Sequence, residues 1–83
     1  MSMPKPGELW MAFRQVPAIN ARTKGAGRYE WIFKGEAVLI IGNEIRRSLN
    51  LTNSDLVYQV LFGDKIYEIY SDHFQAGYLL LIK

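Results

Sequence analysis

The chain has 83 residues, of which 49% are hydrophobic and 22% charged, and its net charge is +2. This length predicts a single domain over residues 1–83, and the composition excludes a disordered chain. Because there is no cysteine, disulfides and thiolate chemistry are excluded, and we expect a reducing, cytoplasmic setting. The longest apolar runs, AVLII and YLLLI, are five residues each, so we expect no membrane partner.

The charges are unevenly distributed. Between positions 14 and 47 there are seven basic residues against three acidic ones. From position 48 onward there are two basic residues against four acidic ones. This asymmetry indicates an anion-facing surface in the first part of the chain.

The first half of the chain predicts two strands separated by a long loop. The stretch ELWMAF (8–13) follows Pro6-Gly7 and is typical of a strand. The stretch RQVPAINARTKGAGR (14–28) is polar and contains proline and glycine, which favours a loop. The stretch GEAVLIIG (35–42) is bracketed by glycines and rich in β-formers, so it predicts the second strand.

The stretch NEIRRSLNLTNSD (43–55) is compatible with two interpretations. Asn43 is a suitable cap for a short helical turn with Ile45 and Leu49 on one side. The alternative is an irregular loop, and the sequence does not choose between them.

Residues 57–70, VYQVLFGDKIYEIY, predict a β-hairpin with a defined register. Gly63-Asp64 has the glycine-first pattern of a type II′ turn. Centring the turn there places Phe62, Val60, Tyr58, Tyr67 and Ile69 on one face, and pairs Gln59 with Glu68 on the other. We therefore expect the first face to point inward and the second to point outward.

The last part of the chain predicts a short turn and a closing strand. SDHF (71–74) is a polar break that favours a turn, with Ser71 or Asp72 capping it. YLLLIK (78–83) predicts the final strand. This strand and residues 35–42 lack polar alternation, so we expect both of their faces to be covered, in a closed barrel or by a partner.

These elements predict an all-β fold, a five-stranded small barrel, and their order resembles the SH3-like barrels. In that family a first strand leads into a long loop, a diverging turn, a hairpin, a 3₁₀ turn and a short last strand. The corresponding segments here are residues 8–13, 14–28, Phe33–Glu36 (FKGE), 57–70, 71–74 and 78–82. The chain is also similar to short, uncharacterised SH3-like proteins of bacteriophages.

The resemblance does not extend to the proline-rich peptide site of eukaryotic SH3 domains. Such domains place a tryptophan at the start of the third strand and a proline beside the 3₁₀ turn. Here the corresponding segments are Leu56-Val57-Tyr58 and SDHF, without tryptophan or proline. The resemblance therefore implies a small interaction fold without naming its ligand.

Residue types do not support catalysis or metal binding. Ser71, Asp72 and His73 are consecutive, and adjacent residues of one turn cannot converge as a catalytic triad does. One histidine and no cysteine provide no familiar metal-ligand spacing, and we expect no cofactor. An enzyme would need a catalytic group from a second subunit. Residues 24–28, KGAGR, are compatible with phosphate binding by backbone amides or with a plain flexible loop tip.

The candidate binding residues are a basic and aromatic group: Arg22, Lys24, Arg28, Tyr29 and Trp31. Cations along a backbone and aromatics stacked on bases are how proteins hold single-stranded nucleic acid. The alternative is that Trp31 and Phe33 pack in the core while the charges are solvated. We predict a non-enzymatic protein-interaction module whose partner is another protein or a second copy, with weak nucleic-acid binding by loop 22–28 as the alternative function.

Overall fold

The computed structural model of this chain describes residues 3–21, 29–48 and 54–82. Its elements are eight strands and one helix, in the order β1 (Leu9–Ala12), β2 (Val16–Asn20), β3 (Tyr29–Ile32), β4 (Ala37–Ile40), β5 (Ile45–Ser48), β6 (Ser54–Phe62), β7 (Lys65–Tyr70), α1 (Ser71–Gln75) and β8 (Leu79–Leu81). The predicted all-β class is confirmed.

The strands form one antiparallel sheet. Seven of them follow each other in the order β3-β2-β7-β6-β4-β1-β8, and β5 pairs with β6 beside this path. Over the described residues this sheet is open, with β3 at one end of the order and β8 at the other. The predicted five-stranded closed barrel is therefore not confirmed.

One face of the sheet, the core face, contains the hydrophobic core. The buried cluster takes residues from seven strands and the helix: Trp10, Ala12, Val16, Ala18, Ile32, Val38, Ile40, Tyr58, Val60, Tyr67, Ile69, Phe74 and Leu79. A five-residue helix is too small to cover a sheet of this width. The sheet must therefore curl around its own core face, in the sense that strand twist favours.

The hairpin of β6 and β7 has the predicted register. Val60 lies opposite Tyr67, Tyr58 opposite Ile69 and Phe62 opposite Lys65. Gly63 has a φ of 66°, which meets the requirement of a type II′ turn at its first central position. The inward face is also confirmed, because Tyr58, Val60, Tyr67 and Ile69 are buried.

The opposite face of this hairpin is less solvated than predicted. Gln59 pairs with Glu68 as expected, but Glu68 is only 4% exposed and Val57 is buried as well. The expectation of a solvated outer side is wrong here because neighbouring strands flank both positions. Ile19 of β2 lies opposite Glu68, and Ile45 of β5 lies opposite Val57.

The predicted loop 14–28 contains a strand, and the prediction is wrong for its first part. β2 alternates buried Val16 and Ala18 with the less buried Pro17, and it pairs with β3. Ala21 donates its N–H to the Ile66 carbonyl at 2.9 Å, so odd-numbered residues of β2 direct their backbone polar groups toward β7. The missing N–H of Pro17 is therefore no loss to the β2–β3 ladder.

Residues 43–55 were predicted as a helical turn or an irregular loop, and both interpretations are wrong for Ile45–Ser48, which is β5. β4 and β5 both pair with β6, but four residues separate Ile40 from Ile45 and only two separate Val60 from Val57. The extra residues form a bulge. Leu49 lies outside the described residues.

Two turns of the same design precede β1 and β4. In residues 5–8 (KPGE) and 33–36 (FKGE), the glycine has a φ of 91° and the N–H of the glutamate donates to the first residue's carbonyl, at 3.1 and 3.0 Å. In each turn the glutamate Oε1 accepts the N–H of the first residue, at 2.7 and 2.8 Å. The turn expected at Phe33–Glu36 is confirmed.

These turns relate β1 and β4 by a local two-fold axis through the Trp10–Val38 pair. Gly7 donates to the Ile40 carbonyl, and Gly35 donates to the Ala12 carbonyl, both at 2.8 Å. The paired strands therefore begin with equivalent turns, each of which bonds to the end of the other strand.

The segment SDHF forms an α-helix rather than a 3₁₀ turn, since Ala76 donates to the Asp72 carbonyl at 2.9 Å. The predicted capping by Ser71 or Asp72 is wrong: Tyr70 is the N-cap, and no side chain makes a cap hydrogen bond. The helix ends with Tyr78 donating to the His73 carbonyl at 3.0 Å across Gly77, a Schellman motif.

Candidate interaction surface

Of the predicted binding group, Tyr29 and Trp31 are described and both lie on β3. Arg22, Lys24 and Arg28, together with the rest of the KGAGR segment (24–28), lie outside the described residues. The structure therefore brings two of the five predicted residues together.

Tyr29 and Trp31, here called the aromatic pair, are exposed on one side of β3. Their exposed fractions are 54% and 46%, and their ring centroids are 6.5 Å apart at an angle of 40°. Ile32 occupies the core position, so strand alternation turns Trp31 outward. The alternative that Trp31 and Phe33 pack in the core is wrong, because Phe33 is also exposed.

The face opposite the core, here called the outer face, has an aliphatic row across five strands. Strand pairing places Ile82, Leu9, Leu39, Leu61 and Ile66 side by side, in that order, on β8, β1, β4, β6 and β7 or at their ends. Leu9 is 46% exposed, and Ile66 and Ile82 are each 42% exposed. We call these five residues the aliphatic row.

The aliphatic row continues along the strands at its β8 end. Leu80 lies opposite Met11, which lies opposite Ala37, on the same outer face. Leu80 is 47% exposed. In the other direction Gln59, Glu68 and Ile19 lie side by side and separate the aliphatic row from the aromatic pair. The described outer face thus has an aliphatic part without a charged residue and an aromatic part on β3.

His73 is part of a ring stack at the helix. Its ring stacks on Tyr78 at 5.6 Å and 28°, and the Arg14 guanidinium lies 4.4 Å from the Tyr78 ring centroid. Burial lowers the pKa of His73, Arg14 lowers it further and Asp72 opposes the shift. The stack joins the end of β1 to the helix and to the start of β8, which is a structural role.

A polar cluster lies where β2, β3 and β7 meet. The Glu30 carboxylate accepts a hydrogen bond from the Tyr67 hydroxyl, which lowers the pKa of Glu30, and Asn20 donates to its Oε2 at 3.4 Å. Burial, and then the bond to Glu30, raise the pKa of Tyr67 to about 12. The phenol therefore stays protonated near neutral pH.

The described residues contain no group of three or more histidine or acidic side chains placed to hold a metal ion. In the same part of the chain, no helix has the length and hydropathy that crossing a membrane requires. No family model, curated protein or solved structure matches the chain.

Sequence reasoning found the aromatic pair but missed the aliphatic row. Its signal was present, since residues 37–41 and 78–82 are apolar at every position and therefore on both faces of a strand. That pattern predicted two covered faces, in a closed barrel or by a partner. Leu80 and Ile82 are exposed, so the fold itself does not cover both faces, and coverage by a partner stays a prediction. A strand pairing map is needed to show that such residues from five strands are neighbours.

Proposed function

We propose that this chain is a small, non-enzymatic protein-interaction module that binds an apolar protein surface through the aliphatic row. The observation that carries the proposal is the continuity of this row over five strands. Soluble monomers rarely expose contiguous apolar patches of more than a few hundred Å². An uncharged row of this width suits an apolar protein surface. It offers no cation to the phosphates of a nucleic acid backbone.

The energy available at this surface supports a transient partner. Fully burying one leucine or isoleucine side chain contributes about 1.5–3 kcal/mol. Leu9, Ile66, Leu80 and Ile82 still expose between 42% and 47% of their surface. Covering these four contributes roughly 3–5 kcal/mol, before the costs of association are subtracted. Because association itself costs about 4–15 kcal/mol, contacts at the rim must add to these four residues, and the resulting complex is weak and reversible.

The test is affinity capture from the native host with matched variants. Ile66→Lys and Leu9→Lys place a charge in the aliphatic row at exposed positions, so the fold should survive while the partner is lost. Lys34→Glu changes a charge at an exposed position of the turn at 33–36, away from the row, and should retain the partner. If both row variants capture the same proteins as the unmodified chain, the aliphatic row is not the binding surface.

A second candidate function, weak binding of single-stranded nucleic acid, is favoured by the exposure of the aromatic pair. Base stacking on an aromatic ring contributes about 1–3 kcal/mol per base. Contacts from Arg22, Lys24 and Arg28 would add a log–log salt slope of about −2 to −3. Oligonucleotide titration with Trp31→Ala and Phe33→Ala separates the two proposals. Micromolar binding that Trp31→Ala abolishes and Phe33→Ala spares would favour this second function.

We also propose that the fold is a relative of the SH3-like barrels. The support is the order of β8, β1, β4, β6 and β7, with an extra hairpin of β2 and β3 between β1 and the turn at Phe33–Glu36. A short helix separates β7 from β8, at the position where the family has its 3₁₀ turn. An experimental structure with a continuous closed sheet of different order would contradict this relation.

A further inference from the structure

Among the described residues, β8 pairs on one side only, and its other edge has a regular set of backbone groups without a strand partner. Phe13 donates to the Tyr78 carbonyl at 2.8 Å and Ile82 donates to the Leu9 carbonyl at 2.9 Å. Even-numbered residues of this strand therefore direct their N–H and C=O groups toward β1. Leu79 and Leu81 direct theirs away from β1, toward the open edge of the sheet.

This edge lacks the usual protection against pairing. Natural edge strands are blunted by charges, proline or bulges, because an open row of N–H and C=O groups invites another strand. The described residues Tyr78–Ile82 include no charge and no proline, and their pairing with β1 is unbroken. The edge is short, but its backbone is available.

The edge is complementary to itself. When two copies of β8 run antiparallel with Leu80 opposite its own copy, Leu79 of each faces Leu81 of the other. These are the residues with outward polar groups, so each such pair exchanges two hydrogen bonds. The two Leu80 side chains meet on the outer face, where each is 47% exposed. Two-fold symmetry of this kind gives a closed dimer, because the pairing uses the β8 edge of both copies.

The opposite end of the sheet does not have this property. In β3 the outward backbone groups belong to Tyr29 and Trp31, because the even-numbered residues of β2, which lie opposite Glu30 and Ile32, are the ones that direct their polar groups toward β3. The equivalent self-pairing would put Glu30 directly opposite its own copy. Like charges in direct opposition destabilise a strand pair. Charge therefore favours β8 over β3 as the edge that pairs with itself.

We infer that two copies of this chain associate through antiparallel pairing of β8, in the register that places Leu80 opposite Leu80. The inference is independent of the proposed function, since it concerns the sheet edge and not the face. The resulting dimer joins the aliphatic rows of both copies across the symmetry axis, because Ile82 and Leu80 lie at the β8 end of that surface.

Charge substitutions test the dimer in sedimentation experiments at chain concentrations up to about 1 mM, the weak end of measurable affinity. We expect the unmodified chain to approach twice the monomer mass. Leu80→Lys should restore the monomer, because it places two like-charged side chains directly opposite each other, on Cα atoms about 4.5 Å apart. Ile66→Lys adds the same charge at similar exposure on the outer face and should leave the dimer intact.

Three results would overturn the inference. A monomer at about 1 mM would show that the edge does not pair. Loss of the dimer with Ile66→Lys and with Leu80→Lys alike would assign association to the face. A dimer that survives Leu80→Lys would place the contact elsewhere. Far-ultraviolet circular dichroism of both variants confirms that each is folded.

Amide hydrogen exchange gives a second readout that does not depend on any substitution. At low concentration the Leu79 and Leu81 amides should exchange fast, whereas the amides of Leu80 and Ile82 are protected by β1. At high concentration the Leu79 and Leu81 amides should become protected, while those of Tyr29 and Trp31 at the other edge remain fast. Equal protection gains at both edges would contradict the assignment to β8.

A cysteine cross-link fixes the register. The chain contains no cysteine, so Leu80→Cys introduces a single thiol. Opposed residues that do not exchange hydrogen bonds lie about 4.5 Å apart, within the range of about 4.4–6.8 Å that a disulfide spans. Mild oxidation should link Leu80→Cys into a dimer much faster than Ile66→Cys. Equal rates would exclude this register.

Discussion

Tyr67 couples the buried core face to a charged group at the sheet surface. Its ring lies in the core cluster, and its hydroxyl reaches the Glu30 carboxylate. Burial and this bond disfavour the tyrosinate, so the folded-state pKa is about 12 against an ordinary value of 10. One side chain thus contributes apolar packing and a pH dependence that lies entirely on the alkaline side.

The stability that Tyr67 contributes should be fully present below pH 10 and should be lost as the pH rises through about 12. Tyr67→Phe removes the hydroxyl, so the variant should lose less stability over that interval than the unmodified chain. Urea midpoints at pH about 8 and about 11.5 measure the difference. Part of the alkaline loss should remain in the variant, because burial also raises the pKa of Tyr58. Identical losses in both chains would contradict the coupling.

Gly63 is a residue whose role depends on its backbone alone. A Cβ at this position would meet nothing within 4 Å, so only the φ of 66° opposes a side chain. Gly63→Val should lower the free energy of unfolding by roughly 1–3 kcal/mol. Gly42→Ala is the control, since Gly42 has no positive φ and its Cβ would make ordinary contact with Gln59 at 3.5 Å. An unchanged urea midpoint for Gly63→Val would exclude a turn that requires glycine.

At the scale of elements, the β6–β7 hairpin was predictable because one local signal determines it. The Gly63-Asp64 turn sets the register, and alternation then assigns every side chain to a face. β2 and β5 gave no such signal. Pro17 suggested a loop, yet its missing N–H lies on the side where the ladder does not need it. β5 is defined by pairing with β6 and by a bulge, neither of which is a local property of its sequence.

The two faces of β6 should differ in energy. Tyr58 is buried and makes an edge-on contact with Phe74 at 5.2 Å between ring centroids, whereas Gln59 is partly exposed on the outer face. Tyr58→Ala should cost about 3–5 kcal/mol, and Gln59→Ala about 0.5 kcal/mol. Denaturant unfolding of the two variants provides the comparison. The reverse order would mean that the hairpin presents its other face to the core.

At the scale of the whole molecule, the sequence specified the class of fold better than its closure or its surface. The hydrophobic patterns of β1, β4 and β8 correctly predicted strands. The order of strands in the sheet depends on residues that are far apart in the sequence. The sequence therefore could not predict the number of strands or the open sheet. The same limit applied to the aliphatic row, whose five residues are scattered over more than seventy positions of the chain.

The pairing of β1 with β8 also has a consequence for the order of folding events. Trp10 pairs with Leu81 across about seventy positions, whereas the β6–β7 hairpin is joined by two residues. Because closing a long loop precedes any gain from its contacts, β8 should dock after the rate-limiting barrier. Leu79→Ala should then accelerate unfolding with little change in the folding rate, while Val60→Ala should slow folding. Stopped-flow chevrons measure both arms. If β8 docks late, strengthening its contact with β1 prolongs the lifetime of the native state without making it form faster.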